Sequence, residues 1–142
     1  MAAEEKKEKL LETEEVRQKI ADLQKRVGEM ADYIKIDERR AKLAVLEDQQ
    51  AQGDFWNNQS KAREVIAATN AERAYVVPYD ALLKTVEDAG VMLELAEMEE
   101  GTAQQNALKD TVAECDKAEG YFGKLRLQSL LGGKFDQCNV FV

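Results

Sequence analysis

The side chains that could carry chemistry here are two cysteines and many carboxylates, because the 142 residues contain no histidine. Histidine is the usual general base and the commonest metal ligand, so both roles lack their ordinary residue. Cys115 and Cys138 do not form a Cys-x-x-Cys pair, and no base is evident beside either. Phosphate-binding glycine loops are also absent. We therefore predict a non-enzymatic chain with no catalytic, cofactor-binding or metal-binding residue.

Two of these groups have simple structural interpretations. Glu97, Glu99 and Glu100 form an acidic cluster that could bind a metal, but a solvated helix end is the interpretation we favour. Cys115 falls on an apolar stripe, where a buried thiol acts as a small hydrophobic residue. The two cysteines are too few for a disulfide framework, and no secretory or membrane-spanning segment is apparent. These features predict a cytoplasmic protein.

A cluster of cations is the best candidate for a binding surface. The net charge is -8, which disfavours general nucleic-acid binding. Residues 16–46 nevertheless carry eight Lys/Arg against five Asp/Glu. Helical spacing puts Lys35, Arg39 and Lys42 on one face, and Arg40 lies beside them. Alternatively, these cations only balance neighbouring acids such as Asp32, Asp37 and Glu38.

The element that must position these cations is a long helix. Six apolar residues follow one another at intervals of four and three: Val16, Ile20, Leu23, Val27, Met30 and Ile34. This spacing predicts a buried helical face that continues less regularly to about residue 50. The stripe could be a dimer seam, but the internal core of a bundle is the interpretation we favour.

A turn and a second long helix come next. Phe55, Trp56 and Asn57 are predicted to form a structural turn, with Trp56 packed as a lid over the bundle end or, alternatively, anchoring a partner. Asn57 or Asn58 suits the N-cap of a helix that extends to about residue 98. Pro78 lies inside this helix and predicts a kink or short break there.

The final segment predicts a third helix and then a change of structure. Connections are expected at 50–57 and 99–102, and the last helix should stop at Gly132-Gly133. Residues 134–142 have a strand-like pattern without a partner strand. The predicted fold is all-α, an elongated antiparallel bundle of three to four long helices with a short unpaired strand-like C-terminal tail.

Three stretches resemble the bacterial release factor two family, within the class I peptide chain release factors. They are Asp37–Leu43 with Gly53–Asn57, then Val91–Ala96, and finally Leu130–Asp136 with Cys138–Val142. The resemblance covers about residues 16–142 and implies the helical N-terminal domain over 16–133 and the cut-off start of the next domain over 134–142. Residues 1–15, which are almost all charged, are predicted to form a charged N-terminal lead. Pro78 departs from the family's regular helix.

The resemblance also implies a role and partners. The family's Gly-Gly-Gln loop and stop-codon tripeptide have no counterpart in this chain, so no catalytic or codon-reading residue is carried over. The family's N-terminal domain is associated with the protein and rRNA of the ribosomal stalk base, and with the recycling GTPase factor. We therefore expect a docking domain in translation termination, with Lys35, Arg39, Arg40 and Lys42 facing the ribosome. A free-standing helical adaptor or coiled-coil protein is the alternative.

Overall fold

The computed structural model describes residues 10–138, and the side chains of residues 10–131. This part of the chain is helical throughout except for short connections. Its elements are α1, Thr13–Ile34; α2, Ile36–Gln50; a 3-10 turn, Phe55–Asn57; α3, Gln59–Glu97; and α4, Gly101–Cys138. The predicted all-α bundle of three to four helices is confirmed. The two predicted connections lie within about two residues of the observed ones.

The chain divides into two compact units. The first contains residues up to Val27 together with Leu82–Gly120. The second contains Gly28–Ala81 and the residues from Tyr121 onward.

In the first unit, the N-terminal part of α1 and the C-terminal part of α3 pack with the N-terminal part of α4. The Gln105 side chain binds the backbone of Leu11 twice, accepting from its N–H at 2.9 Å and donating to its carbonyl at 2.8 Å. Arg17 pairs with Glu97 at the same end of the unit. The start of α1 therefore lies beside the end of α3 and the start of α4, so α3 runs antiparallel to the other two helices.

The predicted six-residue stripe of α1 is confirmed as a buried face. Its members are between 0% and 4% exposed within a single chain: Val16, Ile20, Leu23, Val27, Met30 and Ile34. They are already covered without a second copy, so the dimer-seam alternative is wrong. Leu108, Cys115, Ala118 and Leu125 of α4 are fully buried as well, as their spacing predicts.

The first predicted helix is interrupted at Lys35, which adopts a left-handed conformation with φ 57° and ψ 55°. Ile34 and Ile36 are both buried. Two residues on a continuous helix lie about 200° apart, so an unbroken helix would place one of them away from the core. The left-handed conformation of Lys35 changes the direction of the chain, so that Ile34 and Ile36 are both buried, despite a steric cost of about 1–2 kcal/mol.

Pro78 does not break α3, which is continuous from Gln59 to Glu97. Proline lacks the N–H that would bond to the carbonyl four residues earlier, here that of Ala74. The Gln128 side chain of α4 donates a hydrogen bond to the Ala74 oxygen at 2.7 Å. A side chain from another helix thus replaces the donor that the proline removes.

This replacement predicts a coupling between two distant sequence positions. Gln128→Ala should lower the free energy of unfolding by about 1 kcal/mol, since it leaves the Ala74 carbonyl without this donor. In a Pro78→Ala background the same change should cost close to nothing, because residue 78 then supplies its own N–H. Urea titrations of the four proteins, followed by helical circular dichroism, measure the coupling. Equal losses in both backgrounds would contradict it.

The predicted end of the last helix is wrong. Helix α4 continues through Gly132 and Gly133 to Cys138, whereas a helix stop and a strand-like tail from residue 134 were predicted. A glycine inside a helix costs only about 1 kcal/mol. An unpartnered strand, in contrast, leaves a row of backbone donors and acceptors unpaired. Residues 139–142, the remainder of the predicted tail, lie outside the described residues.

No helix within residues 10–138 is both long enough and apolar enough to cross a membrane.

Candidate docking surface

The predicted cation cluster lies at the junction of α1 and α2, in the second unit. Lys35 is the left-handed residue between the two helices, and its carbonyl accepts the Arg39 N–H at 3.1 Å. Lys35, Arg39 and Lys42 line one groove, together with Ile34, Glu38 and Glu72. These three cations therefore lie together, although Lys35 is not part of a helix with the other two. Arg40 forms its contacts elsewhere, with Asp80 and Tyr79 of α3.

Arg39 is bound on three sides by its own unit. Its Nε donates to the Ile34 carbonyl at 2.7 Å, and one terminal nitrogen donates to Glu72 at 3.1 Å. Its guanidinium carbon lies 3.8 Å from the centre of the Tyr75 ring, within the range of a cation–π contact. The Glu72 side chain is only 9% exposed. Arg39 is therefore the principal counterion of a buried carboxylate.

Arg40 forms a second tie between α2 and α3. Its guanidinium donates to the Asp80 carboxylate at 2.6 Å and lies 5.8 Å from the centre of the Tyr79 ring. Burial raises the pKa of the Tyr79 hydroxyl above its ordinary value, with the nearby Arg40 acting in the opposite direction. The phenol therefore stays neutral at physiological pH.

Lys35 and Lys42 are the exposed members of the cluster. The Lys42 side chain is 64% exposed, and its ammonium lies 3.5 Å from the second oxygen of Glu72. Because the lysine end of this pair is solvated and Arg39 remains the closer counterion of Glu72, the ammonium can turn toward another anion at small cost.

The acids that bind the two arginines lie on α3 and not on the neighbouring turns. The alternative offered by the sequence was that these cations balance Asp32, Asp37 and Glu38. In the structure, Arg39 and Arg40 instead form ion pairs with Glu72 and Asp80. One sequence signal could have identified Glu72. It continues the core spacing of α3, which runs Val65, Thr69, Glu72 and Val76, all buried.

The aromatic turn has the predicted position but not the predicted packing. Phe55–Asn57 forms the 3-10 turn, with the two rings edge to face at 4.7 Å. Trp56 is 59% exposed, so the interpretation of Trp56 as a packed lid is wrong. Asn58 is the N-cap of α3, because its side-chain oxygen accepts the Lys61 N–H at 3.0 Å.

The remaining candidates for chemistry are structural. Cys115 is fully buried, as its place on the stripe predicts, and burial raises the pKa of its thiol. The thiol therefore stays protonated at neutral pH and is a weak nucleophile. Among the described residues, no group of three or more Cys, Asp or Glu side chains could hold a metal ion.

Several known proteins are similar in sequence to this chain. No protein-family model matches the chain. Peptide chain release factor 2 of Acidithiobacillus ferrooxidans is 34% identical over 131 residues, and that of Exiguobacterium sp. is 30% identical over 132 residues. These matches cover 92% and 93% of this chain but 35% of each relative. The release factor 2 of Xanthomonas euvesicatoria is 27% identical over 94% of the chain.

The chain thus spans about a third of the length of the curated relatives that it matches. Over nine-tenths of its own length it is similar to bacterial peptide chain release factor 2, which confirms the family resemblance of its motifs.

Proposed function

We propose that this chain is the non-catalytic docking portion of a peptide chain release factor, acting on the ribosome in stop-codon-dependent translation termination. The observation that carries the proposal is the match to release factor 2 over more than nine-tenths of the chain. The chain has no Gly-Gly-Gln sequence, the motif that the family resemblance associates with peptidyl-tRNA hydrolysis. Its role is therefore binding and orientation, and its place of action is the cytoplasm.

The proposed partners are the protein and rRNA of the ribosomal stalk base, with the recycling GTPase release factor as a further partner. An rRNA contact requires cations that can reach phosphate oxygens. Arg39 and Arg40 are bound to Glu72 and Asp80, so we assign them to holding α2 against α3. Lys35 and Lys42 are exposed on the same groove. These two lysines are the proposed ribosome contacts, and the two arginines position the helix that presents them.

Neutralising the two lysines tests this assignment. Lys35→Gln with Lys42→Gln should weaken binding of the purified chain to bacterial ribosomes severalfold at low salt. The slope of log affinity against log salt should fall by about two, or one for each lost phosphate contact. Fluorescence anisotropy of the labelled chain over a salt series measures both quantities.

A matched pair of lysines provides the control. Lys61→Gln with Lys124→Gln removes the same charge from exposed positions of the same unit, and it should leave the salt slope nearly unchanged. If both double variants reduce the slope equally, overall charge explains binding and the Lys35–Lys42 assignment is wrong. Circular dichroism confirms that each variant retains its helical content.

A further inference from the structure

An apolar ridge lies on the solvent side of the C-terminal end of α3 and of the turn that follows it, in the first unit. Val91, Leu95 and Met98 are 54%, 57% and 79% exposed. Val91 and Leu95 lie about one turn apart on α3, and Met98 follows the last residue of the helix, with its N–H donating to the Leu95 carbonyl at 3.1 Å. The opposite face is the core face, where Ala89, Leu93 and Ala96 are between 0% and 6% exposed. The ridge is therefore a continuous surface that the fold of its own unit does not cover.

Carboxylates border this ridge on both sides. At 100° per residue, Glu87 and Glu94 fall along one edge of α3 and Asp88 falls along the other, and Glu99 follows Met98 beyond the end of the helix. Lys84 is the cation on the same face, and its ammonium pairs with Asp88 at 3.2 Å. The four acids and one lysine give the face a formal charge of -3. Among the side chains that the structure describes, Glu87 and Glu94 form no ion pair.

This pattern discriminates between classes of partner. Three apolar side chains at i, i+4 and i+7 match the way one helix packs along another. The flanking carboxylates repel phosphate, which disfavours RNA. They also disfavour a second copy of this face, because a two-fold interface would place like charges opposite one another. A helical segment whose apolar stripe is flanked by Lys or Arg residues complements both the apolar side chains and the carboxylates of this face.

We propose that this face, the acidic ridge of Val91, Leu95 and Met98 with its four flanking acids, binds a basic amphipathic helix of a partner protein. Leucine-sized side chains of the partner pack against the three apolar residues. Its flanking cations lie opposite Glu87 and Glu94 on one side and Asp88 and Glu99 on the other. This surface lies in a different unit from the Lys35–Lys42 groove. It goes beyond the proposed release-factor role and does not depend on it.

The test uses synthetic helical peptides as probes of the intact chain. One peptide carries leucines at i, i+4 and i+7 flanked by lysines, a second has glutamates in place of the lysines, and a third has the composition of the first in scrambled order. We expect the first to bind saturably in fluorescence anisotropy. The scrambled and acidic peptides should bind at least tenfold more weakly.

Variants of the chain locate the site. Leu95→Gln with Met98→Gln should weaken binding of the first peptide at least tenfold. Glu87→Gln with Glu94→Gln should remove most of the salt dependence of that binding. Val45→Gln changes a comparably exposed residue of α2, at 58%, and should have no effect. Equal binding to wild-type chain and the Leu95–Met98 variant would overturn the proposal. Preference for the acidic peptide, for an RNA oligonucleotide or for self-association through this face would overturn it too.

Discussion

Replacing Arg39 with methionine is expected to lower the free energy of unfolding by about 3–5 kcal/mol, as is typical when a buried ion pair loses one member. Glu72 is 9% exposed at its side chain and accepts from Arg39 at 3.1 Å. The variant leaves this carboxylate with only Lys42, at 3.5 Å, and also removes the donor to the Ile34 carbonyl. Urea titration followed by helical circular dichroism measures the loss.

Two further variants separate burial from charge pairing as the cause. Arg73 pairs with Glu47 at 2.7 Å, but their side chains are 50% and 46% exposed. Arg73→Met should therefore cost no more than about 1 kcal/mol. Adding Glu72→Met to Arg39→Met should recover much of the lost stability, because no uncompensated buried charge then remains. A double variant as unstable as Arg39→Met alone would show that the Glu72 charge is not responsible.

Truncating Leu108 to alanine is the second change with a large expected effect, about 3–5 kcal/mol of lost stability. Leu108 is 0% exposed in the core of the first unit, and a leucine truncation at such a site removes transfer free energy and leaves a cavity. Leu95→Ala is the matched control, since the same side chain is 57% exposed there. The control should cost less than about 1 kcal/mol. Equal losses at the two positions would contradict the assignment of the core.

The sequence predicts the helical core well, because a heptad spacing is a direct consequence of helical geometry. The six-residue stripe of α1 and the α4 positions Leu108 and Cys115 are buried as their spacing predicts. Leu95 of α3 is apolar but 57% exposed. It lies on the opposite side of α3 from Leu93 and Ala96, which are buried.

The unbroken helix at Pro78 and the buried Glu72 share a physical reason, namely compensation by residues far away in sequence. A kink or a short break was predicted at Pro78; α3 is continuous there, and Gln128 of α4 binds the carbonyl that the proline leaves without its usual donor. Glu72 is buried because Arg39, 33 positions away, neutralises it. Local patterns cannot show such partners. The break at Lys35 had a local signal, since Ile34 and Ile36 cannot share one helical face.

The candidate cation site was predicted only in part. Lys35, Arg39 and Lys42 do line one groove, as their spacing indicates. Spacing on one helix does not show which cations are already bound by acids on another. Arg39 and Arg40 are engaged by Glu72 and Asp80, so the proposed contact surface narrows to Lys35 and Lys42.

Competition for the ribosome tests the central proposal most directly. The labelled chain is bound to bacterial ribosomes that display a stop codon, and unlabelled full-length release factor 2 of Acidithiobacillus ferrooxidans is then added. The docking role predicts saturable binding at low salt, no peptide release by the chain alone, and displacement by the full-length factor. Peptide release by the chain would contradict its non-catalytic role. Absence of saturable binding, or binding that the full-length factor does not displace, would contradict the docking role.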